Sequence, residues 1–335
     1  MNTYFSAEAL NTAFGGGPSL FYALCVIWAA LAAFVGLKGI QYVAKVATYL
    51  PLIPLAVLII ALVLFAGSAF SYKPPATEGS PGALGAILLT VTIIVGFFAT
   101  AGAAGVDFGT NSRDAEDVQK GGYVGIIGAI ILTMGIAAIA LAGAWASGAV
   151  QPDALAGKGM NVTDGLEAKL PSAFYRAIML GLTLASFPGA CFSSFIAANS
   201  FKTVMPKVNP FISVGIGAIV SMTLAITGIA KNLPGVFGII GASFGPICGA
   251  MVADYLLAGK RWSGPRAGFN PAGWIAWALG FLVGVMPNLH AWNAAIPDVP
   301  IAPVSAFIVG FVVYFATAKI GLLSPVVPMP NRIDA

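Results

Sequence analysis

The spacing of the charged residues constrains this chain more than any other feature. Nine long uncharged runs separate the charges, and the shortest is the 20 residues that precede Lys319. A hydrocarbon core about 30 Å thick is crossed by a helix of roughly 20 apolar residues. Only 8% of the 335 residues are charged, whereas a soluble domain carries about 25%. We therefore predict an all-α polytopic membrane protein.

The nine runs predict nine complete spans between residues 19 and 318, within a single transmembrane domain that covers 1–335. Runs such as Leu52–Ala66 are apolar throughout, which excludes the alternating pattern of barrel strands. We also expect a short interfacial helix in Gln151–Ser172. The predicted spans are Ser19–Leu37, Tyr42–Ala66, Leu84–Val106, Tyr123–Trp145, Ala173–Ser200, Phe211–Ile229, Gly235–Leu257, Ala272–Met286 and Ile301–Ala318.

The orientation follows from the distribution of lysine and arginine. Of the 16 basic residues, eleven fall on one side of the predicted spans and five on the other. The richer side is expected to be cytoplasmic, which makes 319–335 a cytoplasmic tail. The loop before Ser19 then lies outside, and 1–17 is interpreted as the remnant of a helix whose inner part is missing, plus an outer loop. A re-entrant or interfacial N-terminal helix is the alternative.

Composition and motifs exclude several classes of function. The net charge of +4 is small and scattered, so nucleic acid is not expected as a partner. Cys25, Cys191 and Cys248 lie within apolar runs without metal-ligand spacing, which predicts buried thiols and no metal. No protease, hydrolase or P-loop motif is present, so we expect neither an enzyme nor a cofactor. Asp254 falls at the end of a span, where interfacial capping is expected.

The third span contains a stretch of small residues, Ala99–Gly105, directly after the aromatic pair Phe97 and Phe98. Glycines such as Gly102 permit unwinding, and interrupted helices build the central substrate site in inverted-repeat transporters. The aromatic pair is suited to stacking on a flat heterocycle, and Thr100 to hydrogen bonding with one. The alternative is a small-residue face on which two helices pack closely.

The fifth span has a second weak point around Pro188. Proline donates no backbone hydrogen bond, which frees carbonyl oxygens near Ala185 for a cation or a substrate amine. Ser193 and Ser194 are candidate polar contacts. The alternative is a kink whose hydroxyls bond back to their own helix.

Three segments together resemble the purine–cytosine permeases, the nucleobase:cation symporter family 1, and cytosine permease most of all. They are Val95–Gly109, Asn111–Arg113 and Gly241–Tyr255. The resemblance implies a LeuT-like inverted-repeat fold of twelve helices, of which this chain lacks the first two to three. The remnant in 1–17 would then belong to the third family helix.

The resemblance also implies site residues. The ring-stacking aromatic of family helix six matches Phe98 and its hydroxyl matches Thr100, whereas Phe97 departs from the small polar residue of cytosine permease. On helix eight, the sodium-binding carbonyl matches Ala185. The hydroxyl pair matches Pro188 and Gly189, which have no hydroxyl, so the coupling ion is left open between Na⁺ and H⁺. Two amide side chains further along that helix are replaced as well, so the base recognised can differ.

Together these observations predict a monomeric, multi-pass permease of the bacterial inner membrane with a cytoplasmic C-terminus. It imports cytosine or a related purine, pyrimidine or hydantoin-like heterocycle by cation-coupled alternating access. A non-functional truncated fragment and a passive channel for small solutes are the alternatives. The predicted cation site comprises Ala185, Ser186, Pro188 and Gly189. The predicted substrate site comprises Phe97, Phe98, Thr100, Gly102, Ser193 and Ser194.

Overall fold

A computed structural model describes residues 2–38, 47–74, 82–109, 112–150 and 161–327, and the regular structure within these ranges is helical. A π-helical segment, Gly121–Gly128, precedes the helix that begins at Ala129, and a 3₁₀ turn, Ile229–Lys231, precedes the helix that begins at Leu233. The α-helices are α1 (Asn2–Phe14), α2 (Pro18–Leu37), α3 (Leu52–Ala69), α4 (Gly82–Gly109), α5 (Ala115–Lys120), α6 (Ala129–Ala146), α7 (Val162–Lys169), α8 (Ser172–Val204), α9 (Pro210–Ile226), α10 (Leu233–Leu257), α11 (Pro271–His290) and α12 (Ala302–Lys319).

Eight helical stretches of the described chain are long and apolar enough to cross a membrane. This confirms the prediction of an all-α polytopic membrane protein. The predicted span Phe211–Ile229 corresponds to α9, which has 17 residues. At 1.5 Å per residue α9 is about 25 Å long, which is the lower end of the spanning range. The expected short helix between the fourth and fifth spans is α7.

The second predicted span, Tyr42–Ala66, begins too early. Residues 39–46 lie outside the described ranges, and Thr48–Pro51 form turns before α3 begins at Leu52. Proline disfavours the helical conformation of the residue before it. Pro51 therefore explains why the helix starts after this point although the apolar run starts earlier.

The described helices form two compact units. The first unit contains residues 1–77 and 111–231, and the second contains residues 78–110 and 232–335. The prediction of one transmembrane domain stays a prediction.

Two groups of helices pack within the first unit. In one group, Phe65 of α3 is fully buried against Ala140 and Ala144 of α6, with α7 and α8 completing the core. In the other group, α1 and α2 pack on α8 and α9. There a Cβ added at Gly36 would lie 2.5 Å from the Cys191 carbonyl oxygen. The close approach of α2 to α8 therefore depends on glycine.

The second unit is built around α10, which contacts α4, α11 and α12. Gly241, Gly245 and Gly249 form a face of α10 with four-residue spacing, and a Cβ on any of them would meet Pro303 or Phe307 of α12. Such small-residue faces let membrane helices pack backbone to backbone. Glycines of α11 perform the same function on the side of α10 that carries Pro246.

The helix directions within each unit agree with alternating spans. In the second unit, Gly96 lies beside Phe237 and Gly102 beside Cys248, so α4 and α10 run parallel. In contrast, α11 runs antiparallel to α10, because Gly280 faces Pro246 and Gly284 faces the earlier Ala242. In the first unit, α2 and α8 run parallel, as do α3 and α6. Each pair has the direction that its odd or even position among nine spans requires.

Candidate functional site

The small-residue stretch of the third span is not a helix break. Helix α4 is continuous from Gly82 to Gly109, so the interruption that the sequence suggested at Ala99–Gly105 is wrong for this structure. A Cβ on Gly102 would lie 2.5 Å from the Cys248 Sγ. The thiol of Cys248 in turn contacts the Ala99 carbonyl oxygen at 3.5 Å. Gly102 therefore serves the alternative role, which is close packing of α4 on α10.

The predicted aromatic pair sits on the same helix. The rings of Phe97 and Phe98 meet edge to face at 4.9 Å, and Phe97 meets Phe237 of α10 in the same way at 5.1 Å. Phe97 is 54% exposed, whereas Phe98 is half-buried. The hydroxyl of Thr100 lies 3.5 Å from the carbonyl of Phe97 within its own helix. The structure thus joins Phe97, Phe98 and Thr100 in one local cluster of the second unit.

The weak point of the fifth span is also continuous helix. Pro188 is buried inside α8, and no break accompanies it. The hydroxyl of Ser193 donates to the Gly189 carbonyl at 3.0 Å, and that of Ser194 donates to the Ala190 carbonyl at 3.2 Å. Both hydroxyls therefore bond back to their own helix, as in the alternative interpretation of this segment.

Ser186 behaves differently, because its polar atoms bind another helix. The side-chain nitrogen of Asn2 donates to the Ser186 carbonyl oxygen at 2.8 Å. The hydroxyls of Ser6 and Ser186 lie 2.7 Å apart, and Ser186 is also 2.7 Å from the Thr183 carbonyl. The indole nitrogen of Trp28 donates to the side-chain oxygen of Asn2 at 3.1 Å. We call Asn2, Ser6, Trp28 and Ser186 the Ser186 network.

The protons of the Ser186 network can be assigned in one direction. Because the Thr183 carbonyl only accepts, Ser186 donates to it, and Ser6 then donates to the Ser186 oxygen at 2.7 Å rather than to the Asn2 side-chain oxygen, which is farther away at 3.3 Å. The indole N–H of Trp28 donates to the Asn2 side-chain oxygen, and the Asn2 amide N–H donates to the Ser186 carbonyl oxygen. Each of these buried or half-buried polar groups has a partner, which is what an apolar environment requires.

Sequence reasoning included Ser186 in the cation set but missed its partners. The signal was present in 1–17, where Asn2 and Ser6 are four residues apart and so share one helix face. Thr3 and Ser6 are 6% and 3% exposed, and Thr3 lies 3.1 Å from the Ser221 hydroxyl of α9. A buried polar face on a helix among membrane spans is itself a functional indicator.

The cation set remains a prediction. Ser186 uses its hydroxyl and its carbonyl in the contacts just described. The Asn2 amide nitrogen would also be the nearest atom, at 3.7 Å, to a Cβ on Gly189. Ala185 is half-buried. In the part of the chain that the structure describes, no group of three His, Cys, Asp or Glu side chains is placed to hold a metal ion.

The predicted substrate residues are divided between the two units. Phe97, Phe98, Thr100 and Gly102 belong to the second unit, and Ser193 and Ser194 belong to the first together with the Ser186 network. A single site that uses both sets stays a prediction.

Comparison with known proteins adds no relative. No protein-family model, curated protein or solved structure matches this chain. The resemblance to the purine–cytosine permeases therefore rests on the sequence segments described above.

Proposed function

We propose that this protein is a secondary active transporter that imports a nucleobase such as cytosine, or a related flat heterocycle, by cation-coupled alternating access. The observation that carries the proposal is the Ser186 network. Its central residue is the fifteenth of the 33 residues of α8. Polar side chains near the middle of a membrane helix are costly, and they commonly mark substrate and ion pathways.

The chemistry of the network suits a nucleobase. An asparagine amide offers both donors and an acceptor, and serine hydroxyls do the same. Beyond the contacts already described, the second Asn2 amide hydrogen and the remaining oxygen lone pairs match the donors and acceptors on the edge of a base. Independently of that network, the Phe97–Phe98 pair within the second unit offers aromatic surface of the kind on which bases stack.

The LeuT-like architecture is part of the proposal and is supported by helix pairing. On the resemblance, α1 and α2 take positions three and four among twelve helices, and α8 and α9 take positions eight and nine. These two pairs pack into one group, as expected for an inverted repeat of five helices whose equivalent members meet. We further propose a monomer in the bacterial inner membrane with a cytoplasmic C-terminus.

The test compares two phenylalanine variants in reconstituted protein. Proteoliposomes are assayed for uptake of radiolabelled cytosine, with uracil, adenine and allantoin as competitors and with Na⁺ and H⁺ gradients imposed separately. Phe98→Leu removes the stacking face, and Phe211→Leu is the control because Phe211 is exposed at the start of α9. Since base stacking on an aromatic contributes about 1–3 kcal/mol, Phe98→Leu is expected to lower uptake at limiting cytosine roughly tenfold.

Comparison with the control variant shows which result would contradict the proposal. Phe211→Leu is expected to leave uptake within about twofold of the parent. Equal uptake by both variants would show that Phe98 does not stack on the substrate.

A further inference from the structure

A cavity of about 690 Å³ lies between α10 and α11 in the second unit, away from the residues of the proposed transport site. Ile247 and Met251 line it on α10, and Trp274 and Trp277 line it on α11. Arg261 and Trp262 of the connecting loop line it as well. Because α10 and α11 are antiparallel, the lining residues are ordered along the helix axes. Along the helix axes, the apolar residues extend away from the connecting loop, and the polar residues lie at the end where the helices meet that loop.

The cavity matches an alkyl chain in its length and in its apolar lining. Ile247 precedes the end of α10 at Leu257 by ten residues, which is about 15 Å of helix. Trp274 is 53% exposed and Met251 is 50% exposed, so this apolar wall faces outward. A wall of this kind along membrane helices suits a lipid tail better than a soluble metabolite.

The polar end of the cavity is held rigid by an internal ion pair. Arg266 meets Asp254 at 2.5 Å, and both side chains are 20% exposed. The Tyr314 hydroxyl donates to the same carboxylate at 2.8 Å, and Arg266 also donates to the Ser324 carbonyl. The sequence predicted that Asp254 caps a helix end at the membrane interface. In the structure its carboxylate instead binds Arg266 of the loop, and Arg266 in turn binds the segment after α12. Its charge is neutralised by Arg266 and does not repel an anion.

The same end of the second unit is basic. Lys260, Arg261, Arg266 and Lys319 all lie there, because α12 runs parallel to α10. Among the described residues at this end the acidic ones are Asp254 and, near the end of the parallel helix α4, Asp107, and Asp298 lies in the loop at the opposite end. With Asp254 and Arg266 paired, Arg261 is the cation that lines the cavity, and its side chain is exposed.

We propose that an anionic glycerophospholipid binds in this groove. Its phosphate contacts the guanidinium of Arg261, and one acyl chain lies against Trp274 and Trp277 toward Ile247. The guanidinium fork is well suited to phosphate. Basic pockets between membrane helices are known places for anionic headgroups. The site is distinct from the transport site and does not depend on the identity of the transported solute.

The test measures lipid retention on the purified protein by native mass spectrometry. The protein is titrated in detergent with phosphatidylglycerol and, separately, with phosphatidylcholine of the same acyl chains. Arg261→Gln removes the proposed phosphate ligand, and Arg261→Lys retains the charge. Lys319→Gln is the matched control, because it removes one positive charge from the same end without touching the cavity. A chromatographic check of monodispersity accompanies each variant.

We expect the parent to prefer phosphatidylglycerol and Arg261→Gln to weaken its binding about fivefold, the effect of one basic residue near an anionic lipid surface. Arg261→Lys should restore most of the binding, and Lys319→Gln should change it less than twofold. Equal losses in Arg261→Gln and Lys319→Gln, or no preference over phosphatidylcholine, would overturn the proposal. Displacement of the lipid by millimolar glycerol phosphate would also overturn it, because the headgroup alone would then account for binding.

Discussion

At the scale of single residues, three of the serines of α8 show how the same side chain takes different roles. The hydroxyls of Ser193 and Ser194 bond to their own helix, whereas that of Ser186 bonds both to its own helix and to Ser6 of α1. A hydroxyl that returns to its own helix adds little, because the carbonyl it reaches already accepts a backbone hydrogen bond. A hydroxyl shared between two helices contributes to their association. Ser186 is therefore the serine of this segment that matters for the fold.

Removal of the Ser186 hydroxyl is expected to destabilise the protein measurably. Interhelical hydrogen bonds in membranes contribute about 0.6 kcal/mol on average and up to about 1.7 kcal/mol. Ser186→Ala should lower the free energy of unfolding by an amount in this range, measured by SDS titration of the protein in mixed micelles.

Ser194→Ala is the control for this measurement. Its hydroxyl bonds within α8, so we expect a change close to zero. An equal loss in the two variants would contradict the assignment of the Ser186 hydroxyl to the α1–α8 contact.

At the scale of helices, the sequence predicted where spanning helices occur better than it predicted whether they are continuous. Uncharged apolar runs of 20 residues or more strongly predict membrane-spanning helices, and the structure contains a helix in each of these runs. Glycine and proline were less informative, because they permit a break without requiring one. In α4, Gly96 and Gly102 are used for packing against α10, and in α8 Pro188 is accommodated within the helix.

The partners of Ser186 were beyond sequence reasoning for a physical reason. Asn2 and Ser186 are 184 residues apart, and a pattern along one helix does not identify the helix that packs on it. The polar face of α1 was visible, but its partner was not. Likewise, the turn before α3 depends on Pro51, while the apolar run continues upstream of it.

Close packing of α10 on α12 yields a prediction for Gly249. A Cβ at this position would overlap the Phe307 carbonyl oxygen of α12, and backbone atoms cannot move aside cheaply. Gly249→Ala should therefore lower the free energy of unfolding by about 1–3 kcal/mol, the usual cost of overpacking. SDS titration again provides the measurement.

Gly217→Ala is the matched control, because Gly217 is helical and exposed, and a Cβ added there would meet no atom within 4 Å. Alanine favours helix over glycine by up to about 1 kcal/mol, so this variant should be neutral or more stable. A Gly249→Ala protein as stable as the Gly217→Ala protein would contradict the packing described for α10 and α12.

At the scale of the whole molecule, the charge count and the helix directions give the same topology. Basic residues are concentrated on one side of the nine spans predicted from the sequence. Within each unit, helix pairs run parallel or antiparallel as that alternation requires. Composition and helix contacts thus support alternating spans independently of each other.

The topology predicts which ends of the second unit face the cytoplasm. Lys319→Cys, at the end of α12, should react with a membrane-impermeant maleimide only after the cells are opened. Asn293→Cys, in the loop between α11 and α12, should react in intact cells. The native cysteines described as buried, Cys25 and Cys191, should give a low background. Labelling of both introduced cysteines from the same side would contradict alternating spans.

The most direct test of the account is accumulation of radiolabelled cytosine in proteoliposomes that contain this protein. An inward cation gradient is expected to drive cytosine to an internal concentration above the external one, and collapsing the gradient is expected to abolish the excess. Uptake that only reaches the external concentration, with or without the gradient, would contradict it and indicate a passive channel.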